Sequence, residues 1–538
     1  MRKLFSIYGV VCLCVSGMIF SGCVKEDIKK ISLSDHNPLW AAEIAHSEFS
    51  LSKITGAVKD SLLSKGTSPL TFVSSGHFSS LSGNAVFPLP DQSKTTIIAL
   101  SAAGVNSLIA TGTITLSITD TALCSFPNSA LVKSIHFKSG SLKITFIHQF
   151  KHDAQITLSI PQLKLNGVPY NQVVALNYTG ANPVLSQTIV DLSGYVLNLA
   201  FGSTLPQNKF AFTMTDMMTY IPNNPIVIAN TTAVDFKFSS LQFLDMDGNL
   251  GSFPFPVNSS SFNIDFFKNA VSGGASLTSP RLQIEVTNSM GFPVDGSFLQ
   301  HYGLSGFTGV TALTAGTLFD KLTFAYPTSK GSSKVKTLVL DKTNSNIVSL
   351  VAQSPSSLFF QTSDTARPVT TTYTYFLTDT GHYDTDIELQ LPMSGTYSSL
   401  TFQDSVRVNF SSFSKNKIDS LRIHIENKFP LSATVQGFFM DANNLITDSL
   451  FKQNKFTAAG AAVGNNGLSS SSMNSSAMVP VDDLGFQKLL AARKLILRIS
   501  LNVPSALPSG VTALKLVESY KLSLKIGAQF RNNLSFRN

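Results

Sequence analysis

The chain has 538 residues, of which 43% are hydrophobic and 10% aromatic, so it is not disordered and is long enough for three or four domains. Charged residues make up only 13%, well below the share of about 25% in an average soluble protein, so Ser, Thr and Asn must build the surface. The net charge of +8 is spread thinly with no basic run, which does not imply nucleic acid as a partner.

Arg2 and Lys3 precede an uncharged run from Leu4 to Phe20, the layout of an export signal and too short to favour spanning a bilayer. Ser21, Gly22 and Cys23 follow, small residues before a cysteine, as lipoprotein signal peptidase requires. Residues 1–22 are therefore expected to be removed and Cys23 to carry lipid, because several acyl chains make a durable anchor. The alternative is an ordinary cleaved signal, or an uncleaved anchor, beside a coincidental cysteine. Cys12 and Cys14 leave with the signal, so Cys124 is the only remaining thiol. Flanked by Leu123 and Phe126, it reads as a core residue. Lys25, Glu26 and Asp27 come next, at the start of a polar tether over 23–38. This triplet resembles the signal by which Bacteroidota send lipoproteins across the outer membrane to the cell surface.

Trp40, the only tryptophan, is expected as a plug between the first strand and its neighbour. Beyond it, Ser52 can cap a short helix over 53–65, with Ile54, Val58 and Leu62 at fourfold spacing and Gly66 as its stop. From about Pro69 onward the dominant signal is period-two alternation rich in Val, Ile, Thr and Phe, as expected for half-buried antiparallel strands.

Three strands recur at intervals of 140 and 139 residues: Leu142-Ile144-Phe146-His148-Phe150, Leu282-Ile284-Val286-Asn288-Met290 and Leu421-Ile423-Ile425-Asn427-Phe429. In each, the seventh residue is polar and the ninth apolar. The expected fold is all-β, with several immunoglobulin-like antiparallel β-sandwich modules in tandem after a short N-terminal helical segment. The borders follow from the spacing: an N-terminal β region at 39–125, then modules at 126–265, 266–405 and 406–538. Asn166-Gly167, Asp247-Gly248 and Asp295-Gly296 read as tight hairpin turns, and Asp441–Asn444 as a further turn. The uncharged Ala/Gly/Asn/Ser stretch 457–478 reads as a flexible insert. A helix near Leu484–Ala492, a strand over Lys494–Val503 and a last strand over Tyr520–Phe530 complete the chain.

No nucleophile elbow, phosphate loop, dinucleotide fingerprint or paired metal-ligand histidines appear, so neither an enzyme nor a cofactor is expected. His148 and His152 lie four apart in a strand and the turn after it, not on a helix. Asp245, Asp247 and Asn249, with Gly248, echo the first half of a calcium loop but lack its downstream bidentate acid, and a plain turn is favoured. Ser61, Thr121, Thr365, Ser405, Ser420 and Ser449 each follow an aspartate, in matches that look like the O-glycosylation acceptor of Bacteroidota; an Asp-Ser turn is the plain alternative. One Trp and twelve Tyr against forty Phe place the aromatics mainly in the core, which weakens a glycan platform. A transmembrane barrel is disfavoured, since it needs no lipid-bearing cysteine and the chain ends in Arg537-Asn538.

With Lys25-Glu26-Asp27 after the lipid cysteine, and strands ending in Asn288-Ser289-Met290 and Asn427-Lys428-Phe429, the chain resembles large surface lipoproteins of Bacteroidota. The resemblance implies outer-membrane anchoring on the exterior face. It also implies a protein-binding accessory role on an assembly, secretion or import complex, with capture of glycan or another nutrient, or adhesion, as alternatives.

Overall fold

The structure is a computed structural model that describes residues 39–51, 53, 62–63, 69–200, 207–268, 270–367, 375–414 and 416–531. Cys23, Lys25, Glu26, Asp27 and Ser61 lie outside them, as does most of the expected helix. At its described end that helix is overturned: Leu62–Leu63 is a short strand paired with Phe72 and Thr71. The described chain is nearly all antiparallel β. It divides into two compact units, one from residues 55–400 with 512–518, the other from 1–54, 401–511 and 519–538.

Three N-terminal strands, β1 (Leu39–Ser50), β2 (Thr71–Ser82) and β3 (Gln92–Ala99), do not pair with one another. Each borders the last strand of a different module. The first module contains α1 (Ala102–Thr111), β4 (Thr113–Leu123), β5 (Leu131–His148), β6 (Asp153–Leu165), β7 (Val168–Leu176), β8 (Val184–Asp191), β9 (Tyr195–Asn198), β10 (Lys209–Thr219) and β11 (Thr231–Asn249). Its strands hydrogen-bond in the orders β3-β11-β5-β8 and β4-β10-β6-β7, joined through β9, which pairs with both β5 and β6.

The second module repeats the scheme with β12 (Asn258–Asn263), β13 (Arg281–Asn288), β14 (Val294–Ser305), β15 (Lys334–Leu340), α2 (Ile347–Ala352), β16 (Ser357–Ala366) and β17 (His382–Pro392). The orders are β2-β17-β13-β15 and β12-β16-β14. The third uses β18 (Ser394–Arg407), β19 (Ile418–Asn427), β20 (Ser432–Met440), β21 (Ile446–Ser449), β22 (Met473–Pro480), α3 (Asp483–Ala491), β23 (Lys494–Asn502) and β24 (Lys521–Arg531), ordered β1-β24-β19-β22 and β18-β23-β20-β21. The first two modules lie in one unit and share a continuous core, in which Phe236, Phe243 and Met246 cluster with Met290, Phe292 and Tyr383.

The repeated seventh residue has a structural reason. At this position the chain leaves one sheet and crosses to the other, which strands backbone groups in the core unless something bonds them. Asn427 Nδ2 donates to the carbonyls of Leu431 and Ala459, each at 2.9 Å, while its Oδ1 accepts from Phe429 N at 3.0 Å. Asn288 does the same with Phe292 and Ala325, each at 3.1 Å, and with Met290 N at 2.9 Å. His148 takes the place of the amide in the first module, its Nε2 lying 3.1 Å from the His152 carbonyl, again four residues on. The following apolar residues, Phe150, Met290 and Phe429, are all buried beside these corners.

Two of the four turn expectations fail. Asn166-Gly167 does form the hairpin between β6 and β7, with φ of 50° and 82°. Asp247-Gly248, by contrast, lies inside β11, where Gly248 (φ 157°) marks a bulge and a Cβ there would strike the Leu131 carbonyl. Asp295-Gly296 lies inside β14, and a Cβ on Gly296 would collide with the Asp364 carboxylate. The flexible insert is also corrected. Ala461 N donates to Phe429 O, Val463 bridges Ser469, Ser469 N bonds the Tyr520 hydroxyl, and 473–480 is strand β22. Backbone pairing holds this stretch in place, helped by small side chains such as Ser469, whose hydroxyl donates to the Lys428 carbonyl at 2.8 Å. Trp40 is no plug, because half of it (51%) is exposed. Cys124 is buried, and desolvation pushes its thiol up to about 12, which makes it inert.

Candidate protein-binding edge

The polar groups singled out in the sequence are mostly tied into the fold. Asp245 and Asp247 face one way from β11 and grip Lys330, whose Nζ donates to them at 2.7 and 2.9 Å; Asp245 also contacts His136, and Asp247 accepts from Ser134. Asn249 is buried and accepts from Gly251 N. An ammonium thus fills the place a divalent cation would need, and no group of three or more metal-ligating side chains is found among the described residues. Millimolar calcium should shift the melting temperature by less than about 1 °C in differential scanning fluorimetry, as expected where no site is filled.

His148, Thr232 and Asp216 form a buried row, with Thr232 Oγ1 lying 2.8 Å from His148 Nδ1 and 2.6 Å from Asp216 Oδ2. Burial lifts the Asp216 pKa to about 6 and lowers that of His148 to about 4. Thr232 Oγ1 donates to Asp216 Oδ2, and His148 Nε2 faces the His152 carbonyl. All three side chains are buried, so this row braces the corner and offers no surface to a substrate. His152 Nδ1 is likewise committed, accepting from Ile221 N at 3.0 Å.

The Asp-Ser/Thr matches scatter. Thr121 and Ser405 are exposed, Thr365 and Ser449 half-buried, the last donating to the Phe451 carbonyl. Ser420 is closed to modification in the folded chain: it is buried in β19 and its hydroxyl donates to Gln529 Oε1 at 3.0 Å.

The surface that sequence reading missed lies on the first module. Among the described residues β7 pairs only with β6, and β8 only with β5, so each ends its layer with one edge left open by them. Val168 and Val173 on β7, and Leu185 and Ile189 on β8, are each more than half exposed. Across one layer, Ile97, the buried Ala233, Ile147 and Leu185 stand opposite one another on β3, β11, β5 and β8, an apolar row whose exposed members are Ile97 and, at the open edge, Leu185. The next row, Thr95, Asp235, Thr145 and Gln187, is polar. Neither β7 (VPYNQVVAL) nor β8 (VLSQTIVD) carries a lysine or arginine, whereas edge strand β15 carries Lys334 and Lys336. Exposed edges recruit another strand unless charge or proline deters it, and here only Pro169 on β7 and the terminal Asp191 on β8 stand in the way. Sequence did hold a signal: between 168 and 191 apolar residues fall on both parities, where a half-buried strand needs only one.

No family model and no curated protein matches this chain. Among solved structures, it is similar to a protein of Parabacteroides distasonis described as secreted, at 13% identity and a TM-score of 0.27, over 53% of this chain and 89% of that one. A structure of infectious bursal disease virus, Gx strain, aligns at 9% identity and a TM-score of 0.14, over 85% of this chain and 80% of that one. Likenesses this weak carry no functional content. No helix among the described residues is long and apolar enough to cross a membrane.

Proposed function

We propose that this chain is a non-enzymatic lipoprotein, anchored through Cys23 in the outer membrane with its body on the exterior, that binds a protein partner of that membrane. Cys23 and Lys25-Glu26-Asp27 support the address. The open, cation-free edge of β7 and β8, with its apolar row, carries the binding reading. A partner strand added to β8 would gain main-chain hydrogen bonds, and pockets between Leu185 and Ile189 would supply selectivity. Replacing both with lysine (Leu185→Lys, Ile189→Lys) guards the edge without touching the core, since both side chains point to solvent. Crosslinking on intact cells should then lose a stoichiometric outer-membrane partner by about tenfold or more, with the melting temperature unchanged. Retention of the same partner by the double variant would sink the proposal.

A further inference from the structure

The unit that begins with β1 has one end where charge, apolar exposure and the chain's N-terminal entry coincide. Here β18 stops at Arg407, β23 starts at Lys494, and β20 stops at Met440. Backbone bonds hold the three in register: Val408 N donates to Arg493 O at 3.1 Å, and Arg493 N to Met440 O at 2.8 Å. Between them opens a cleft of about 890 Å³, lined by the cations Arg407, Arg493 and Lys494 against a single acid, Asp441. That acid is already engaged, its Oδ1 accepting from Asn443 N and Leu445 N at 2.8 and 2.9 Å. No carboxylate among the described residues lies within ion-pair distance of the three cations. The nearby acids of α3 are answered elsewhere, Asp482 by Lys452 at 3.5 Å and Asp483 by Lys417.

The same end holds the start of β1. Trp40 and Ile418 both stand opposite Phe530, whose ring lies 5.2 Å from Phe413, two residues from the cleft-lining Ser411. Trp40, Leu445, Ile446 and Leu484 are each more than half exposed there. Basic side chains beside exposed tryptophan and leucine suit a lipid–water interface, where phosphates meet acyl chains and an indole can sit with one edge wet. Residues 24–38 reach at most about 50 Å when extended, so a lipid on Cys23 would hold this end close to the bilayer.

We propose that this end of the unit docks on the surface of its own membrane, with Arg407, Arg493 and Lys494 binding lipid headgroup phosphates and Trp40 entering the interfacial layer. The orientation rests on the lipid-anchor reading, but the contact itself can be tested without the anchor. Mature chain carrying Cys23→Ala, which has no acyl chains, is mixed with phosphatidylcholine vesicles with or without phosphatidylglycerol. Trp40 is the only tryptophan, so emission reports on it alone. A shift to shorter wavelength with the anionic vesicles, weakened by salt, is the expected result. Arg407→Glu with Lys494→Glu should lower vesicle affinity about tenfold or more at an unchanged melting temperature, since each cation near an anionic surface contributes to binding. No shift with either vesicle, or equal binding to both, would overturn the proposal. So would an equal response to inorganic phosphate alone, which would mark a site for a soluble anion. Absence of acyl mass on the natural protein would instead sink the anchor reading and leave the vesicle result standing.

Discussion

Asn427→Ala is expected to cost about 3–6 kcal/mol of unfolding free energy. The substitution removes one side chain but strands three backbone groups, the carbonyls of Leu431 and Ala459 and the N–H of Phe429, in a corner where Asn427 is fully buried. Each buried polar group left without a partner costs about 1–3 kcal/mol, and whole domains are stable by only about 5–15 kcal/mol. Urea unfolding followed by circular dichroism measures the loss. Asn427→Asp separates lost shape from lost hydrogen bonding. One carboxylate oxygen can still accept from Phe429 N, but the other would face two carbonyl oxygens with no proton between them. That variant should be as unstable as the alanine at neutral pH and recover part of its stability in acid, where a protonated carboxyl can donate. Losses below about 1 kcal/mol in both variants would show that water replaces the amide and that the repeated residue is incidental.

Asp364→Asn is expected to change the pH dependence of stability. The carboxyl lies in the core shared by the first two modules, with the Tyr383 hydroxyl donating to its Oδ1 at 3.1 Å. Burial raises its pKa to about 6, against about 3.9 in an unfolded chain. Because the folded-state value is the higher one, the folded chain holds its proton more tightly between these limits. The contribution is therefore fully present below about pH 4 and lost as pH rises through about 6. Moving a carboxyl pKa from about 4 to about 6 corresponds to about 3 kcal/mol. Asparagine keeps the carbonyl acceptor and cannot ionise. Relative to the parent, the variant should gain about 2 kcal/mol on going from about pH 4.5 to about pH 7.5, the remainder having been lost below about pH 4.5, measured by denaturant unfolding at both values. A constant difference would mean that Asp364 ionises freely in the folded protein.

The legible parts of this molecule were those governed by short-range pattern. Period-two alternation specified antiparallel strands because successive side chains leave a strand on opposite faces. The closing elements α3, β23 and β24 fell within a residue or two of expectation, since caps and alternation act locally. The polar residue at the seventh position of each repeat was visible as well, although its task was not. Local pattern misled where a distant partner decided the outcome. Asp295 looked like a turn residue, yet Thr323, Lys321 and Arg367 converge on its carboxylate and hold it within β14. Asp245 and Asp247 looked like half a cation site until Lys330, more than eighty residues away, filled it. The stretch 457–478 looked unstructured because its side chains are small, while what orders it is main-chain pairing and the Tyr520 hydroxyl.

By itself, then, the amino-acid order determined the strand class and the inert core thiol, since each depends on neighbours a few residues apart, and it carried the repeat interval. Only the tertiary structure decided that β1, β2 and β3 are shared out to β24, β17 and β11. It alone decided which edges stay open, and that Arg407, Arg493 and Lys494 meet beside one cleft. Strand pairing is a contact between surfaces brought together by the burial of a common core, and no local preference of either strand encodes which partner it will meet.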